Sequence, residues 1–239
     1  MQLIKQFLIL LIITPFFFSC NSSTQENGNK AASKKNAPKT VKEEAINLKD
    51  SKKKNILFFG DSLTAGYGLE DEIGMAYPQI IQDKIDSLGL PYRVINAGLS
   101  GETTATGANR IGWVLKQHVD IFVLELGGND ALRGVKPAET EKNLQSIIDK
   151  VNKKYPSAKV VVAGMEAPPT MGNRYTSEFR KIFKTIADSN EVVLIPFLLD
   201  KVGGIAKYNQ PDGIHPTEEG HRLVAETVWG YLKEVLDGF

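Results

Sequence analysis

From residue 55 onward the chain alternates short apolar runs, rich in β-branched and aromatic residues, with longer stretches of helical period. NILFFG (55–60), YRVINA (92–97), DIFVLELG (120–127), AKVVVAGM (158–165) and EVVLIPF (191–197) read as buried strands. Between them Tyr77, Ile80, Ile81, Ile85 and Leu88 fall at i, i+3/i+4 spacing. So do Leu144, Ile147, Ile148 and Val151, and again Phe179, Ile182, Phe183 and Ile186. A last helix starts after Pro216 and carries Leu223, Val224, Val228, Tyr231, Leu232 and Val235. These stripes are assigned to the core, and Trp113 and Trp229 to packing. Strands alternating with helices predict βαβ units, hence an α/β domain built on a five-stranded parallel sheet.

The first 54 residues follow a different pattern. MQLIKQFLILLIITPFFFSC has one lysine and an apolar stretch from Phe7 to Phe18, too short to span a bilayer comfortably, and it reads as a signal peptide over residues 1–19. It ends at Cys20, the only cysteine, so no internal disulfide can form. A sole cysteine straight after a signal core resembles a bacterial lipoprotein box, although Phe17 stands where leucine is usual. That resemblance implies lipidation of Cys20, and with it an exported protein held in the cell envelope by an N-terminal lipid anchor. An uncleaved anchor or a free thiol is the alternative. Residues 20–54 then form a flexible, lysine-rich linker with almost no large apolar residues, in which only VKEEAINL has the composition of a short helix. No later linker divides residues 55–239, which make one domain.

Charge narrows the classes of partner. Nine lysines stand against Glu43, Glu44 and Asp50 over residues 30–54, so with an overall net charge of +1 the body beyond them is mildly acidic. A nucleic-acid reader needs arginines and aromatics on a folded face, and the lysine run has neither. Nucleic-acid binding is therefore not expected, and no protein partner is called for.

Four polar clusters interrupt the apolar pattern: GDSLTAGYG after the first strand, AGLSGETT after the second, LGGNDALRG after the third, and QPDGIHPT before the last helix. Each has an ordinary structural reading. Asp61 and Ser62 suit a turn and a helix N-cap, a Ser or Thr of LSGETT suits a cap, Asn129 suits a tight turn, and DGIHP is turn chemistry with Pro216 opening a helix. Yet ligands of open parallel sheets sit outside the carboxyl ends of the strands, so these clusters can share one crevice.

Together they supply a complete chemistry. A serine hydroxyl becomes a useful nucleophile when an imidazole accepts its proton and a carboxylate fixes the tautomer of that imidazole. Ser62, His215 and Asp212 are the candidates, with Gly213 easing the turn that brings Asp212 back to the Nδ1 side of the ring. Backbone N–H groups of Ser62 and Gly101 and the amide of Asn129 are candidate donors to an oxyanion. Neither His118 nor His221 is needed, and both are assigned to surface or packing. G-x-S-x-G is missing, which argues against the α/β-hydrolase fold. There is no metal-ligand spacing, and Gly66-Tyr67-Gly68 lacks the third glycine of a dinucleotide fingerprint, so neither metal nor cofactor is expected.

In order and spacing, GDSLTAGYG, the glycine of LSGETT, GGND and DGIHP resemble the four blocks of the SGNH, or GDSL, hydrolase superfamily over roughly residues 55–236. GGNDALRG and INAGLSGETT look closest to its bacterial thioesterases, arylesterases and lysophospholipases. The resemblance implies a flavodoxin-like three-layer α/β/α sandwich, with Ser62 as nucleophile, His215 as base, Asp212 orienting it, and Ser62, Gly101 and Asn129 forming the oxyanion hole. Leu63, Leu132, Met165, Pro168 and Met171 in nearby loops favour an apolar acyl or aryl group, so the expected substrate is a small-molecule ester or lipid. The alternatives are a carbohydrate O-acetyl esterase, an acyltransferase of the cell envelope, and a non-catalytic lipid or glycan binder.

Overall fold

Parallel pairing of the apolar runs is the frame of the computed structural model, which describes residues 53–236. The expected signal segment, Cys20 and the linker up to Lys52 lie outside the described residues. The strands are β1 (Lys54–Phe59), β2 (Tyr92–Asn96), β3 (Ile121–Glu125), β4 (Lys159–Ala163) and β5 (Val193–Ile195). Their order is β2-β1-β3-β4-β5, all parallel, which is the flavodoxin-like order expected. β1 lies inside the sheet, between β2 and β3, and Ile56 to Phe59 are all buried, as a strand covered on both faces must be.

The helices are α1 (Ser62–Ala65), α2 (Tyr77–Ser87), α3 (Thr104–Val114), α4 (Gly128–Leu132), α5 (Pro137–Lys154), α6 (Asn173–Asn190) and α7 (Glu218–Leu232). α2 packs against α7, while α5 packs against both α3 and α6, so right-handed crossovers place the two groups on opposite faces of the sheet. The expected stripes do the packing: Tyr77, Ile81 and Ile85, then Leu144, Ile147, Ile148 and Val151, then Phe179, Ile182, Phe183 and Ile186, all bury against the sheet. Thr217 caps α7, its Oγ1 accepting the Gly220 N–H at 3.3 Å, and Glu218 and Glu219 occupy the first turn.

Several expectations are corrected. Trp113 does not pack in the core: two residues on from buried Ile111 it points to the other side of α3 and is 70% exposed, with Lys116 Nζ 3.8 Å from its ring centroid. Leu88 is exposed because α2 stops at Ser87, one residue before the stripe is completed. Trp229, by contrast, is buried as expected. The strands are shorter than their apolar runs. Pro196 has no N–H with which to extend β5, and Glu191 is taken up as the left-handed cap of α6 (φ 54°). His118 lies in the loop beyond α3, where Asp120 Oδ1 is 3.2 Å from its Nε2.

Candidate active site

All four polar clusters open from the sheet on one side, and hydrogen bonds tie them together. At the end of β1 the chain turns through Gly60 and Asp61 into α1. Asp61 caps that helix, with Oδ1 accepting the Leu63 N–H at 3.0 Å. A Cβ on Gly60 would lie 2.2 Å from Thr64 Oγ1 and 2.4 Å from Glu125 Oε2, so only glycine lets this turn close. The loop after β2 follows β1 further, through Leu99 N–H to Gly60 O at 2.9 Å. Arg110 then clamps it: Nε donates to Glu102 at 2.6 Å and Nη2 to Ala97 O at 2.8 Å.

The cluster after β3 reaches both of its neighbours. Asn129 Nδ2 donates to Asp61 Oδ2 at 3.0 Å, and buried Asp130 accepts the Thr104 N–H at 2.8 Å and the Thr104 hydroxyl at 2.5 Å. Arg133 Nη2 donates to Gly101 O at 3.1 Å. GGND is thus not a simple turn. Gly127 (φ 124°) lets the chain swing out of β3, and Asn129 and Asp130 stand on α4 as two struts to neighbouring loops.

The fourth cluster closes the site from the opposite end of the chain. Gln210 Nε2 donates to Tyr67 O at 2.8 Å and to Pro216 O at 3.0 Å, fixing the turn against the segment after α1. Within the turn, Asp212 Oδ1 accepts the N–H groups of Ile214 and His215 at 2.9 and 3.0 Å, and Gly213 takes a left-handed conformation (φ 72°). Asp212 Oδ2 then lies 2.6 Å from His215 Nδ1, and His215 Nε2 lies 2.9 Å from Ser62 Oγ. The ring of Tyr67 sits against the imidazole with centroids 4.8 Å apart.

The electrostatics follow from burial and partners. Burial works against ionisation of Asp212, but the hydrogen bonds from His215 and from the Ile214 and His215 N–H groups outweigh it and bring the carboxyl down to about 2. Asp212 is therefore a carboxylate at neutral pH. Burial pushes Asp61 up to about 6, against the Leu63 N–H and the Asn129 amide, which hold it down. Burial, then the charge of Asp61, push Glu125 well above the usual carboxylate range.

Beside Ser62 and His215 a cavity of about 460 Å³ is lined mostly by apolar groups. Leu63, Leu132, Met165 and Pro168 line it, together with Phe197, Leu199 and Ile214. Ser62 and Asn129 also face this cavity. Met171 is in a 3₁₀ turn (Pro169–Met171) beside Gly134 and does not line it, and neither does Gly101 (φ 79°), whose carbonyl accepts from Arg133. Among the described residues, no group of three or more His, Cys, Asp or Glu side chains is placed to hold a metal ion.

A family model described as the GDSL-like lipase/acylhydrolase family matches residues 58–223. The chain belongs to this family. As a GDSL-like hydrolase it is 37% identical over 182 residues to esterase TesA of Pseudomonas aeruginosa, across 76% of this chain and 89% of that one. It is also 37% identical over 183 residues to thioesterase 1/protease 1/lysophospholipase L1 of Escherichia coli, across 76% of this chain and 85% of the relative. A crystal structure of TesA, 37% identical, matches with a TM-score of 0.73 over 77% of this chain and the whole of that one. The span matched by the family model runs from β1 into α7 and takes in all four clusters.

Several residues of this GDSL-like hydrolase carry structure at the site that sequence reasoning did not assign. Asp61 was legible only as a cap, and Tyr67 only as part of a rejected glycine motif. Phe197 was read as the end of a strand, and Leu199 was assigned no role. Their role depends on where the chain turns after β5, which no local pattern states.

Proposed function

We propose that this chain hydrolyses carboxylic esters with apolar acyl or aryl groups through an acyl-enzyme on Ser62. The observation that carries the reading is the relay of 2.9 Å from Ser62 Oγ to His215 Nε2 and 2.6 Å from His215 Nδ1 to Asp212 Oδ2. With Asp212 ionised, the neutral imidazole keeps its proton on Nδ1, and Nε2 accepts the Ser62 proton as Oγ attacks the substrate carbonyl. The developing oxyanion meets the N–H groups of Ser62 and Gly101 and the amide of Asn129. One N–H of that amide is engaged by Asp61, which leaves the other for the oxyanion. His215 returns the proton to the leaving alkoxide or thiolate, and a water activated by the same nitrogen releases the acid.

The apolar lining of the cavity supports an acyl or aryl group over an acetylated sugar, whose hydroxyls would need partners that Leu63, Met165, Phe197 and Leu199 lack. The relatives named above, an esterase and a thioesterase/protease/lysophospholipase, are consistent with this. The test is hydrolysis of p-nitrophenyl esters from acetate to palmitate by the full chain and by Ser62→Ala. Turnover falls by about 10³ or more in the variant, with the optimum at a chain longer than acetate. Unchanged turnover would sink the assignment of Ser62, and activity on acetate alone would sink the apolar acyl site.

We further propose that Cys20 is lipidated after removal of residues 1–19 and anchors the enzyme in the cell envelope. The support is the sole cysteine placed directly after the apolar stretch. An exported enzyme meets lysophospholipids and related esters more readily than cytosolic thioesters. Metabolic labelling with a fatty acid tests this: label in the wild type and none in Cys20→Ala is expected, and equal label in both refutes it.

A further inference from the structure

Behind the serine turn lies a pair of buried carboxyls that the proposed reaction does not use. Glu125 ends β3 at the centre of the sheet, and both it and Asp61 are buried. Glu125 Oε2 accepts two hydrogen bonds, from the Asp61 N–H at 3.1 Å and from the Thr64 hydroxyl at 2.8 Å. The Thr64 proton is committed there, so Tyr77 OH, 2.8 Å from Thr64 Oγ1, donates to threonine. An oxygen with two donors behaves as a carbonyl. The other oxygen, Oε1, is buried and accepts from no donor among the described residues. Such an atom is costly as a carboxylate and satisfied as a hydroxyl beside an acceptor.

The acceptor at hand is Asp61, whose Oδ1 and Oδ2 already take the Leu63 N–H and the Asn129 amide. We infer that Glu125 is a positioning residue whose protonated carboxyl donates through Oε1 to the Asp61 carboxylate, holding Asp61 as the acceptor that aims the Asn129 amide. One proton is shared between two carboxyls, and the pair bears a single negative charge. The ionisable groups facing it agree with that placement. Asp61 and Tyr77 stand against Glu125 on the sides of α1 and α2, and the hydrogen bond between the carboxyls raises Glu125 while lowering Asp61. His215, across the turn, favours the ionised form of Asp61 when it carries the serine proton, and His221 beyond Tyr77 is held neutral by burial.

The same arrangement explains why the serine turn has no slack. The Asp61 N–H is bound by Glu125, its carboxylate by Leu63 and Asn129, and Gly60 leaves no room for the turn to shift. Losing the Glu125 proton would set two negative charges side by side in a dry pocket and push Asp61 away from Asn129. The consequence would fall on kcat, because the Asn129 amide acts in the transition state.

The test uses the full chain with Glu125→Gln and Glu125→Ala. Glutamine keeps an oxygen for the Asp61 N–H and Thr64 and a donor for Asp61, without a charge. The infrared spectrum at neutral pH is expected to show a protonated-carboxyl stretch in the wild type that is missing in Glu125→Gln. Its absence from the wild type would overturn the proposal. The kinetic arm rests on the esterase reading. Glu125→Gln is expected to retain kcat within about threefold, while Glu125→Ala loses on the order of tenfold or more with KM nearly unchanged, short of the 10²–10³ for removal of a hole donor itself. Glutamine as damaging as alanine would show that the charge is needed and would overturn it too. Should Glu125→Ala not fold, the infrared band and the Glu125→Gln rate decide. The band reports on Glu125 even if Ser62→Ala keeps its turnover, so the two readings fail separately.

Discussion

One oxygen of Asp212 lies 2.6 Å from His215 Nδ1, while the other closes the turn that carries the same histidine, accepting its backbone N–H at 3.0 Å. A single carboxylate thus places the imidazole and selects its tautomer. In Asp212→Asn the amide oxygen can still close the turn, but an N–H now faces Nδ1 and moves the ring proton to Nε2, where it blocks transfer from Ser62. We expect kcat to fall by roughly 10² to 10⁴ with KM within about twofold and little change in Tm. Steady-state kinetics and thermal melts check this, and a variant altered in KM alone would contradict the role of Asp212.

His221 offers a prediction about stability. It is buried, its Nδ1 accepts the Tyr77 N–H at 3.3 Å, and its ring stacks on that of Tyr77 with centroids 6.3 Å apart. Burial first, and the charge of His215 second, bring its pKa down from 6.5 to about 4. Between those values the unfolded chain binds the proton and the folded one does not, so stability is lost as pH falls from 6.5 to 4. The loss amounts to ~2–3 kcal/mol. Asp61 acts in the opposite sense: raised to about 6, it costs stability above its ordinary value and gives it back on acidification from pH 6 to 4. Chemical denaturation of the wild type and His221→Gln at pH 7 and pH 4.5 separates the two. The wild type loses more of its stability than the variant across that interval, and equal losses would remove His221 from the account.

Most of the frame was legible because it is local. Apolar runs mark strands, and stripes at helical spacing mark α2, α5, α6 and α7. α3 left no stripe because its buried positions include Thr104, Gly107 and Ala108, small residues that bring it close to the sheet. A Cβ on Gly107 would sit 2.6 Å from Leu126 Cδ1. Ser62, Asn129, Asp212 and His215 stood out because polar side chains at the ends of apolar runs break the pattern. The struts between the clusters did not. Asp130 to Thr104, Arg133 to Gly101 and Glu125 to Asp61 join segments 26 or more residues apart, and a carboxylate or an arginine in a single sequence gives no sign of its distant partner.

The walls of the cavity make the choice of acyl chain testable. Met165 follows β4, is buried, and reaches toward Gly128, with its Cε 3.4 Å from where a Cβ on that glycine would lie. It therefore stands between the end of the sheet and the start of α4, beside Asn129, and Phe197 and Leu199 line the same cavity. Met165→Trp would fill part of this space without touching the relay from Ser62 to Asp212. A short acyl group would still fit, whereas a long one would lose its apolar contacts and meet the indole. We expect kcat/KM for the longest p-nitrophenyl esters to fall by about tenfold or more while acetate changes by less than about threefold, with a modest drop in Tm from overpacking. Measured across chain lengths, an equal loss on every ester would mean that the indole disturbs Asn129 instead, and no loss on any would place the acyl chain outside this cavity.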